Sequence, residues 1–447
     1  MASIFLEKKD QTELVDKLNN LMKYMTENFS AYKSYIDSPV NTQIECLEDL
    51  VKFPILDKKE SVALQLSKEV LDRNPLAYFE TSGTSGSPFP VIPDFATNRS
   101  QEFADFINEW LDLDNHPIKR AVIALPFEMN PVGLKYFLAL NQLNIMSIPV
   151  GVRTHLCPPK KVIDIFERLK PELLIARPME TLRYAEAMET QGLDPKKSSI
   201  KKIILTGEIV SKAKFDRISQ RFGGADVHSV YGLTELDSGG MVSCHKHQYH
   251  LPSKPYLVAE LLQDDFKTPV MNDGDIGNIV LTNTHQNYMP LFRYKTGDYG
   301  VLKKQCNCNQ FQTPIINLLG RSSDKISYND KVIFPIQIED IIFQFDQIAS
   351  DYQIISSQGE ISLRLEWLNK HYDPKEVEAV KDEIQANIFN QLGINLDDIQ
   401  ILETGKLYNK LGIAKSKAGT LVQLDKESNP DAIKAALEIN FSCIEEL

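Results

Sequence analysis

Apolar residues recur at near-helical spacing early in the chain, where Leu14, Leu18, Leu21, Met22 and Met25 fall on one face between Gln11 and about Asn28. That spacing predicts an amphipathic N-terminal helix, followed by a loop-rich leader. From about Pro75 to Arg321 the pattern changes. Short apolar, β-rich runs at 121–125, 145–150, 173–176 and 202–206 alternate with helix-length segments. Such runs predict βαβ units and a largely parallel sheet covered on both faces. Between about Tyr256 and Leu302, strands such as 279–283 crowd around turns such as Asn272-Asp273-Gly274, which predicts a more antiparallel subdomain. Beyond Gly320-Arg321-Ser322-Ser323-Asp324, alternating Ile361, Leu363, Leu365 and Trp367 and a helical run from Glu376 to about Gln391 predict a small α+β unit. The expected fold class is α/β, a large N-terminal domain with mixed parallel sheets and a small mobile α+β C-terminal domain. The boundaries fall at 1–75 for a helical and loop leader, 76–322 for the core with an inserted β subdomain, and 323–447 for the C-terminal lid.

Composition narrows the function more than the fold. A chain of 447 residues, 43% hydrophobic and 25% charged, has the makeup of a multi-domain globular protein. Its formal charge of −12 leaves no electrostatic footprint for nucleic acid and no polybasic membrane patch. Charges arrive too early at the N-terminus for a signal-peptide core, and no apolar run approaches bilayer length, so a cytoplasmic location is expected. Six cysteines are too few for a disulfide framework; Cys46, Cys157 and Cys443 read as small hydrophobes or incidental thiols, whereas Cys306-Asn307-Cys308 is spaced like metal ligands. Small-molecule chemistry is the expectation that remains.

The segment Thr81-Ser82-Gly83-Thr84-Ser85-Gly86-Ser87-Pro88 concentrates hydroxyls and glycines. Glycines let successive backbone N–H groups point at an anion, and Ser and Thr hydroxyls add donors, so the loop suits phosphate. No Gly-Lys-Ser/Thr ends it, which excludes a Walker P-loop reading. Further on, Gly207-Glu208, Tyr231-Gly232-Leu233-Thr234-Glu235, Arg293-Tyr294-Lys295-Thr296-Gly297-Asp298 and Gly320–Asp324 follow in order. Tyr231 offers a flat ring for adenine, Thr234 a hydroxyl for a phosphate, and Glu235 a carboxylate suited to Mg²⁺. Ionised Asp298 can accept from both ribose hydroxyls, and Arg321 can donate to ribose or phosphate oxygens. Gly207 and Glu208 precede a helical run and are expected to shape the wall of a nucleotide pocket.

This ordered set resembles the acyl-adenylate-forming, AMP-binding superfamily, and more closely its phenylacetate-CoA ligase-like branch. The resemblance spans nearly the whole chain, including a leader-like stretch from Leu18 to Tyr35, Phe53–Glu60, and Phe334-Pro335-Ile336-Gln337-Ile338-Glu339 at the entry to the C-terminal domain. It implies an adenylate-forming N-terminal domain and the same roles for Tyr231, Thr234, Glu235, Asp298 and Arg321. It also implies a C-terminal lysine that neutralises charge during adenylation. Here the corresponding stretch is Ala414–Leu421, where strict alignment puts Gly419 at the lysine position, leaving Lys417 or Lys415 to substitute. The lysine often found near Pro88 is replaced by Ser87 and Phe89, so a weaker loop grip is expected. Ser323 falls at the hinge.

A second constellation joins Cys244-His245-Lys246-His247-Gln248-Tyr249-His250 to Cys306 and Cys308. Three sulfurs and one imidazole make a closed set suited to structural zinc. The resemblance favours His250, which precedes Leu251-Pro252, with His247 as the alternative. His228 reads as a satisfied core histidine, and Glu128, in the segment 127–134 that the resemblance places at the acyl site, as a solvated carboxylate.

The implied activity is ATP-dependent activation of a small carboxylic acid, aryl or arylacetic, as an acyl-AMP, then transfer to the thiol of coenzyme A. Loading of a phosphopantetheinyl acyl or peptidyl carrier protein is the alternative, as is a nucleotide-binding relative with reduced or no ligase activity. Expected cofactors are ATP, Mg²⁺, structural Zn²⁺ and CoA or the phosphopantetheine arm. Nucleic acid and membrane are not expected partners, and a homodimer is among the states the sequence allows.

Overall fold

The computed structural model describes residues 8–30, 32, 43–65, 68–81, 88–93, 97–152, 154–236, 240–251, 257–285, 288, 290–308, 310–311, 315–357, 359–368, 373–403, 407 and 421–423. Its helices are α1 (Lys8–Asn28), α2 (Lys58–Gln65), α3 (Lys68–Leu71), α4 (Thr97–Trp110), α5 (Val132–Gln142), α6 (Pro159–Leu169), α7 (Pro178–Thr190), α8 (Lys212–Arg221), α9 (Pro335–Ile342) and α10 (Pro374–Leu392). The strands of the first half are β1 (Phe79–Glu80), β2 (Pro90–Val91), β3 (Arg120–Ala124), β4 (Met146–Pro149), β5 (Leu173–Ala176), β6 (Lys202–Thr206) and β7 (Asp226–Tyr231). There follow β8 (Met241–Ser243), β9 (Tyr249–His250), β10 (Leu257–Leu262), β11 (Ile276–Asn283), β12 (Tyr294–Lys303) and β13 (Ile315–Arg321). Last come β14 (Ile326–Tyr328), β15 (Lys331–Ile333), β16 (Ile348–Ser357), β17 (Glu360–Trp367), β18 (Asp398–Glu403) and β19 (Leu421–Gln423).

One sheet of eleven strands organises the N-terminal part, in the order β10-β11-β12-β13-β9-β8-β7-β6-β5-β3-β4. From β7 to β4 all neighbours are parallel. From β7 outward through β8 to β10 all are antiparallel. The antiparallel strands thus extend the same sheet instead of forming a separate inserted layer. Side-chain alternation along the parallel strands sends Val122, Ala124, Leu174, Ala176, Ile203 and Leu205 to one face, where α6, α7 and α8 pack. Ala121, Ile123, Leu173, Ile175 and Ile204 go to the other, under α4 and α5. Being buried on both faces is why these strands read as unbroken apolar runs.

Helix ends follow local chemistry. Pro159 opens α6 and Lys170 closes it in the left-handed region; Ser211 caps α8 by accepting from Lys214 N; Asp373 caps α10, which ends at left-handed Gly393. In α1, Leu14, Leu18, Leu21 and Met25 are buried, in a core shared with β10–β13 and the β1–β2 hairpin. No described helix is long and apolar enough to cross a membrane.

The C-terminal unit has a four-stranded sheet in the order β18-β17-β16-β19. Its apolar residues run continuously into the core under α6–α8. A buried polar clamp crosses the same contact. Lys214 Nζ on α8 lies 2.6 Å from Glu339 Oε2 on α9, and the Tyr352 hydroxyl donates to the same oxygen at 2.5 Å. Arg217 donates to the carbonyls of Ile348 and Phe345, at 2.7 and 2.5 Å. Arg183 pairs with Asp351 at 2.5 Å, and Glu186 accepts from Ser350 N and Oγ, both at 3.1 Å.

Losing one member of a buried pair leaves the other charge uncompensated. Lys214→Met is therefore expected to destabilise the seating of the C-terminal unit by about 3–5 kcal/mol. Lys212→Met, which breaks only the exposed pair with Asp216, should change stability by less than about 0.5 kcal/mol. Amide hydrogen exchange in β16 and β17 distinguishes the two; equal protection in both variants contradicts the clamp.

Candidate functional site

The site is assembled where the parallel half of the sheet meets the antiparallel half. Residues 82–87 of the glycine- and hydroxyl-rich loop lie outside the described residues, but the closure of the loop is clear. Thr81 N donates to Phe89 O and Phe89 N donates to Thr81 Oγ1, each at 2.9 Å, at the end of the β1–β2 hairpin. Phe89 is fully buried, with its ring centroid 6.2 Å from that of Tyr294. Glu80 N donates to Met129 O at 3.1 Å, tying the hairpin to the turn after β3.

Tyr231 ends β7 and is buried; its hydroxyl donates to Asp298 Oδ2 at 2.6 Å. Burial and the neighbouring carboxylate hold that hydroxyl well above the usual tyrosine range, so it remains a donor. The backbone of Gly240 approaches Tyr231 so closely that a Cβ there would lie 1.5 Å from Tyr231 O. Only glycine fits. Asp298 owes its place to an irregularity in β12, where Thr296, Gly297 and Asp298 lie opposite Ile279 alone, with Gly297 at φ +79°. Its other oxygen faces Arg321 Nε at 3.7 Å. Arg321 is 45% exposed, enough for its guanidinium to reach a ligand.

Thr234 and half-buried Glu235 lie in the turn just after β7. Glu235 Oε1 accepts from the Tyr294 hydroxyl at 3.1 Å. The structure therefore gathers Tyr231, Glu235, Asp298 and Arg321 from three separated segments. It also places Gly207, at φ +85°, and Glu208 at the C-terminal end of β6 beside Arg177. Glu208 Oε2 is 3.5 Å from Met179 N, and Oε1 is buried with no hydrogen-bond partner among the described residues. Gly232 is exposed next to Tyr231. Ser323 sits in the short helical turn after β13, with its hydroxyl on Asp324 Oδ1 at 2.8 Å. Lys415 and Lys417 lie outside the described residues. Glu128 is exposed, while buried His228 lies 2.8 Å from Asp226 with its ring edge-on to Trp110.

Farther along the antiparallel half, the ligand atoms of Cys244, His250, Cys306 and Cys308 lie within 4.8 Å of one another. Cys244 Sγ is 3.7 Å from Cys306 Sγ, and Cys308 Sγ is 3.7 Å from His250 Nε2. Zn–S bonds of about 2.3 Å at the tetrahedral angle separate two sulfurs by about 3.8 Å, so these spacings fit a closed S₃N set. Burial raises the Cys244 and Cys306 thiols above the usual range. A bound divalent ion reverses that preference by stabilising the thiolates. His247 turns away, stacked on Phe215 and 3.8 Å from Asp216.

Three site residues went without a role in the sequence reading. Tyr294 lay inside a recognised motif, but its contact with Glu235 joins positions 59 residues apart. Phe89 read only as a missing lysine. Glu180, on α7, is buried; desolvation and the charge of Glu208 push its carboxyl up to about 7, although Arg183, which it shares with Asp351, lies 3.0 Å away.

Comparison with known proteins bears on this geometry. The family model for the AMP-binding enzyme C-terminal domain matches residues 331–417. The chain is 22% identical over 391 residues to a phenylacetate-coenzyme A ligase of Thermus thermophilus, covering 83% of this chain and 84% of that one. It is 23% identical over 418 residues to the phenylacetate-coenzyme A ligase of Aromatoleum evansii, covering 87% and 90%. Among solved structures, 2-hydroxyisobutyryl-CoA ligase in its postadenylation state superposes with a TM-score of 0.84 at 16% identity, covering 97% of this chain and 92% of that one. The same enzyme in its thioesterification state gives 0.65 at 16% identity, covering 95% and 92%.

The Glu180 carboxyl gives the site a pH signature. Because its folded value is raised, the folded state holds the proton more tightly than the unfolded chain. Its contribution is fully present below about pH 4.3 and is lost as pH rises through about 7. Between pH 5 and 8 the wild type is expected to lose about 2–3 kcal/mol that Glu180→Gln retains, as read from denaturant midpoints at the two pH values. Parallel pH profiles for the two proteins refute this.

Proposed function

Since the chain belongs to the phenylacetate-CoA ligase-like branch of the acyl-adenylate-forming superfamily, we propose that the cluster around Tyr231, Asp298, Arg321 and Glu235 binds ATP and activates an aryl or arylacetic carboxylate. The chain is an AMP-forming acyl-CoA synthetase, an acid–thiol ligase. One observation carries the proposal: Asp298 and Glu235 each accept from a buried tyrosine hydroxyl, and the ring of Tyr294 packs against Phe89 at the closure of a glycine- and hydroxyl-rich loop.

Adenylation brings a carboxylate to the α-phosphate of ATP and expels pyrophosphate, so the site must let two anions approach. Positioning and charge neutralisation are the means. The loop 81–88 cradles phosphates through backbone N–H groups. Thr234 donates its hydroxyl to the α-phosphate, and the Tyr231 ring lies against adenine while its hydroxyl keeps Asp298 Oδ2 fixed. Asp298 accepts from the ribose hydroxyls, and Arg321 donates to ribose or phosphate oxygen. Gly207 and Glu208 wall the adenine and acyl pockets.

Glu235, a half-buried carboxylate beside the Thr234 hydroxyl, is the kind of oxygen donor Mg²⁺ takes alongside substrate phosphates. When bound, that ion supplies positive charge at the phosphates. The second cation is assigned to Lys417 or Lys415. Residues 323–447 act as a lid turning at Ser323 between adenylation and acyl transfer. The aromatic preference is supported by the substrates named for the curated relatives.

Purified protein incubated with ATP, Mg²⁺ and a panel of aryl, arylacetic, fatty and amino acids is expected to release pyrophosphate most with an aryl or arylacetic acid. With CoA present it should form the thioester and AMP in equal amounts. Asp298→Asn should lower kcat/KM for ATP by about 10- to 100-fold, the scale of a hydrogen bond to a charged group. Acyl transfer to a phosphopantetheinyl carrier protein alone, or AMP binding without pyrophosphate release, overturns the CoA reading.

Structural zinc is assigned to Cys244, His250, Cys306 and Cys308, where it would join the loop after β8 to the segment before β13. Metal analysis of the purified protein should find zinc stoichiometric with chain. Cys308→Ser should lose zinc and thermal stability together, while His247→Ala keeps both. Zinc retained in Cys308→Ser rejects the assignment.

A further inference from the structure

Tyr294 is 1% exposed, and its backbone is pinned on both sides: Leu56 N donates to Arg293 O and Lys295 N to Leu56 O, each at 2.9 Å. Its ring packs edge-on against Phe89, whose own N–H and C=O close the loop on Thr81. Its hydroxyl reaches the other way, to Glu235 Oε1 at 3.1 Å. Among the described residues it is the one hydrogen-bond donor to that carboxylate. A single rigid side chain thus touches both the base of the phosphate loop and the carboxylate assigned to the metal.

We propose that Tyr294 is a positioning residue for the metal–nucleotide complex, fixing the orientation of Glu235 through its hydroxyl and coupling that carboxylate to the phosphate loop through its ring. This rests on the assignment of Glu235 to divalent-metal binding. Physical reasons favour the role over that of a core tyrosine with a satisfied hydroxyl. Glu235 lies half-buried in a turn outside any strand, where nothing else described restrains its rotamer. Carboxylates that bind metals are oriented by outer-shell hydrogen bonds, whose loss commonly weakens metal binding about 10- to 100-fold.

The test needs no turnover. Calorimetry on the full-length protein measures how far Mn²⁺ tightens ATP binding, with AMP affinity in metal-free buffer as the control. Tyr294→Phe keeps the ring and removes the hydroxyl. It should lower the Mn²⁺ enhancement about 10-fold while AMP affinity stays within about twofold. Glu235→Gln should lower the enhancement at least as much, and the double variant no more than Glu235→Gln alone, because both act on one ligand. Phe89→Leu retains the hydroxyl contact but loosens the ring; about a threefold loss is expected, and this variant stands in should Tyr294→Phe fail to fold. Wild-type enhancement in Tyr294→Phe or, in that event, in Phe89→Leu overturns the inference while Glu235 keeps its role. Wild-type enhancement in Glu235→Gln overturns the metal assignment itself.

Discussion

The buried ion pair between Arg293 and Glu260 holds the site half of the molecule in register. Both side chains are almost fully buried, and the guanidinium makes a two-pronged contact, Nε to Oε2 at 3.0 Å and Nη2 to Oε1 at 2.9 Å. It also donates to the carbonyls of Phe53 and Phe266. Burial raises the Glu260 carboxyl above its usual range, and the facing guanidinium opposes that rise. A buried charge is tolerated only when paired and hydrogen-bonded, so this arrangement has few alternatives once the chain commits to it. It fastens β10, the start of β12 and the leader to one another. Tyr294 is the next residue, and Asp298 follows four later along the same strand.

That anchoring explains how a site drawn from distant segments becomes rigid. The leader supplies Leu56 to bridge Tyr294; the hairpin supplies Phe89; the strand end at Tyr231 supplies a second hydroxyl. Two tyrosines therefore hold two carboxylates from inside the core. Catalysis by charge neutralisation requires this stiffness, because a carboxylate free to rotate would lose much of its advantage to reorganisation.

One face of the parallel half follows another logic. There the C-terminal unit meets α7 and α8 through both apolar packing and the Lys214, Arg217 and Arg183 contacts. An interface combining a shared core with buried ion pairs holds one pose firmly and makes any second pose costly unless new partners replace the old.

Apolar patterning determined α1 and the helix at 374–392 through a repeated buried face, and the strands 173–176 and 202–206 through unbroken apolar runs buried on both faces. Motif order brought out the residues that now cluster as Tyr231, Glu235, Asp298 and Arg321, and cysteine spacing pointed to Cys306 and Cys308. Only the tertiary structure decided between His250 and His247 as the neighbour of those sulfurs: His250 lies on β9 facing them, whereas His247 sits in the preceding turn at φ +59° with its ring stacked on Phe215. It also decided that the antiparallel strands continue the main sheet, a matter of register between distant segments. The partnerships of Tyr294 with Glu235 and of Lys214 with Glu339 join residues 59 and 125 positions apart, and no local pattern encodes a contact that exists only once both surfaces are buried.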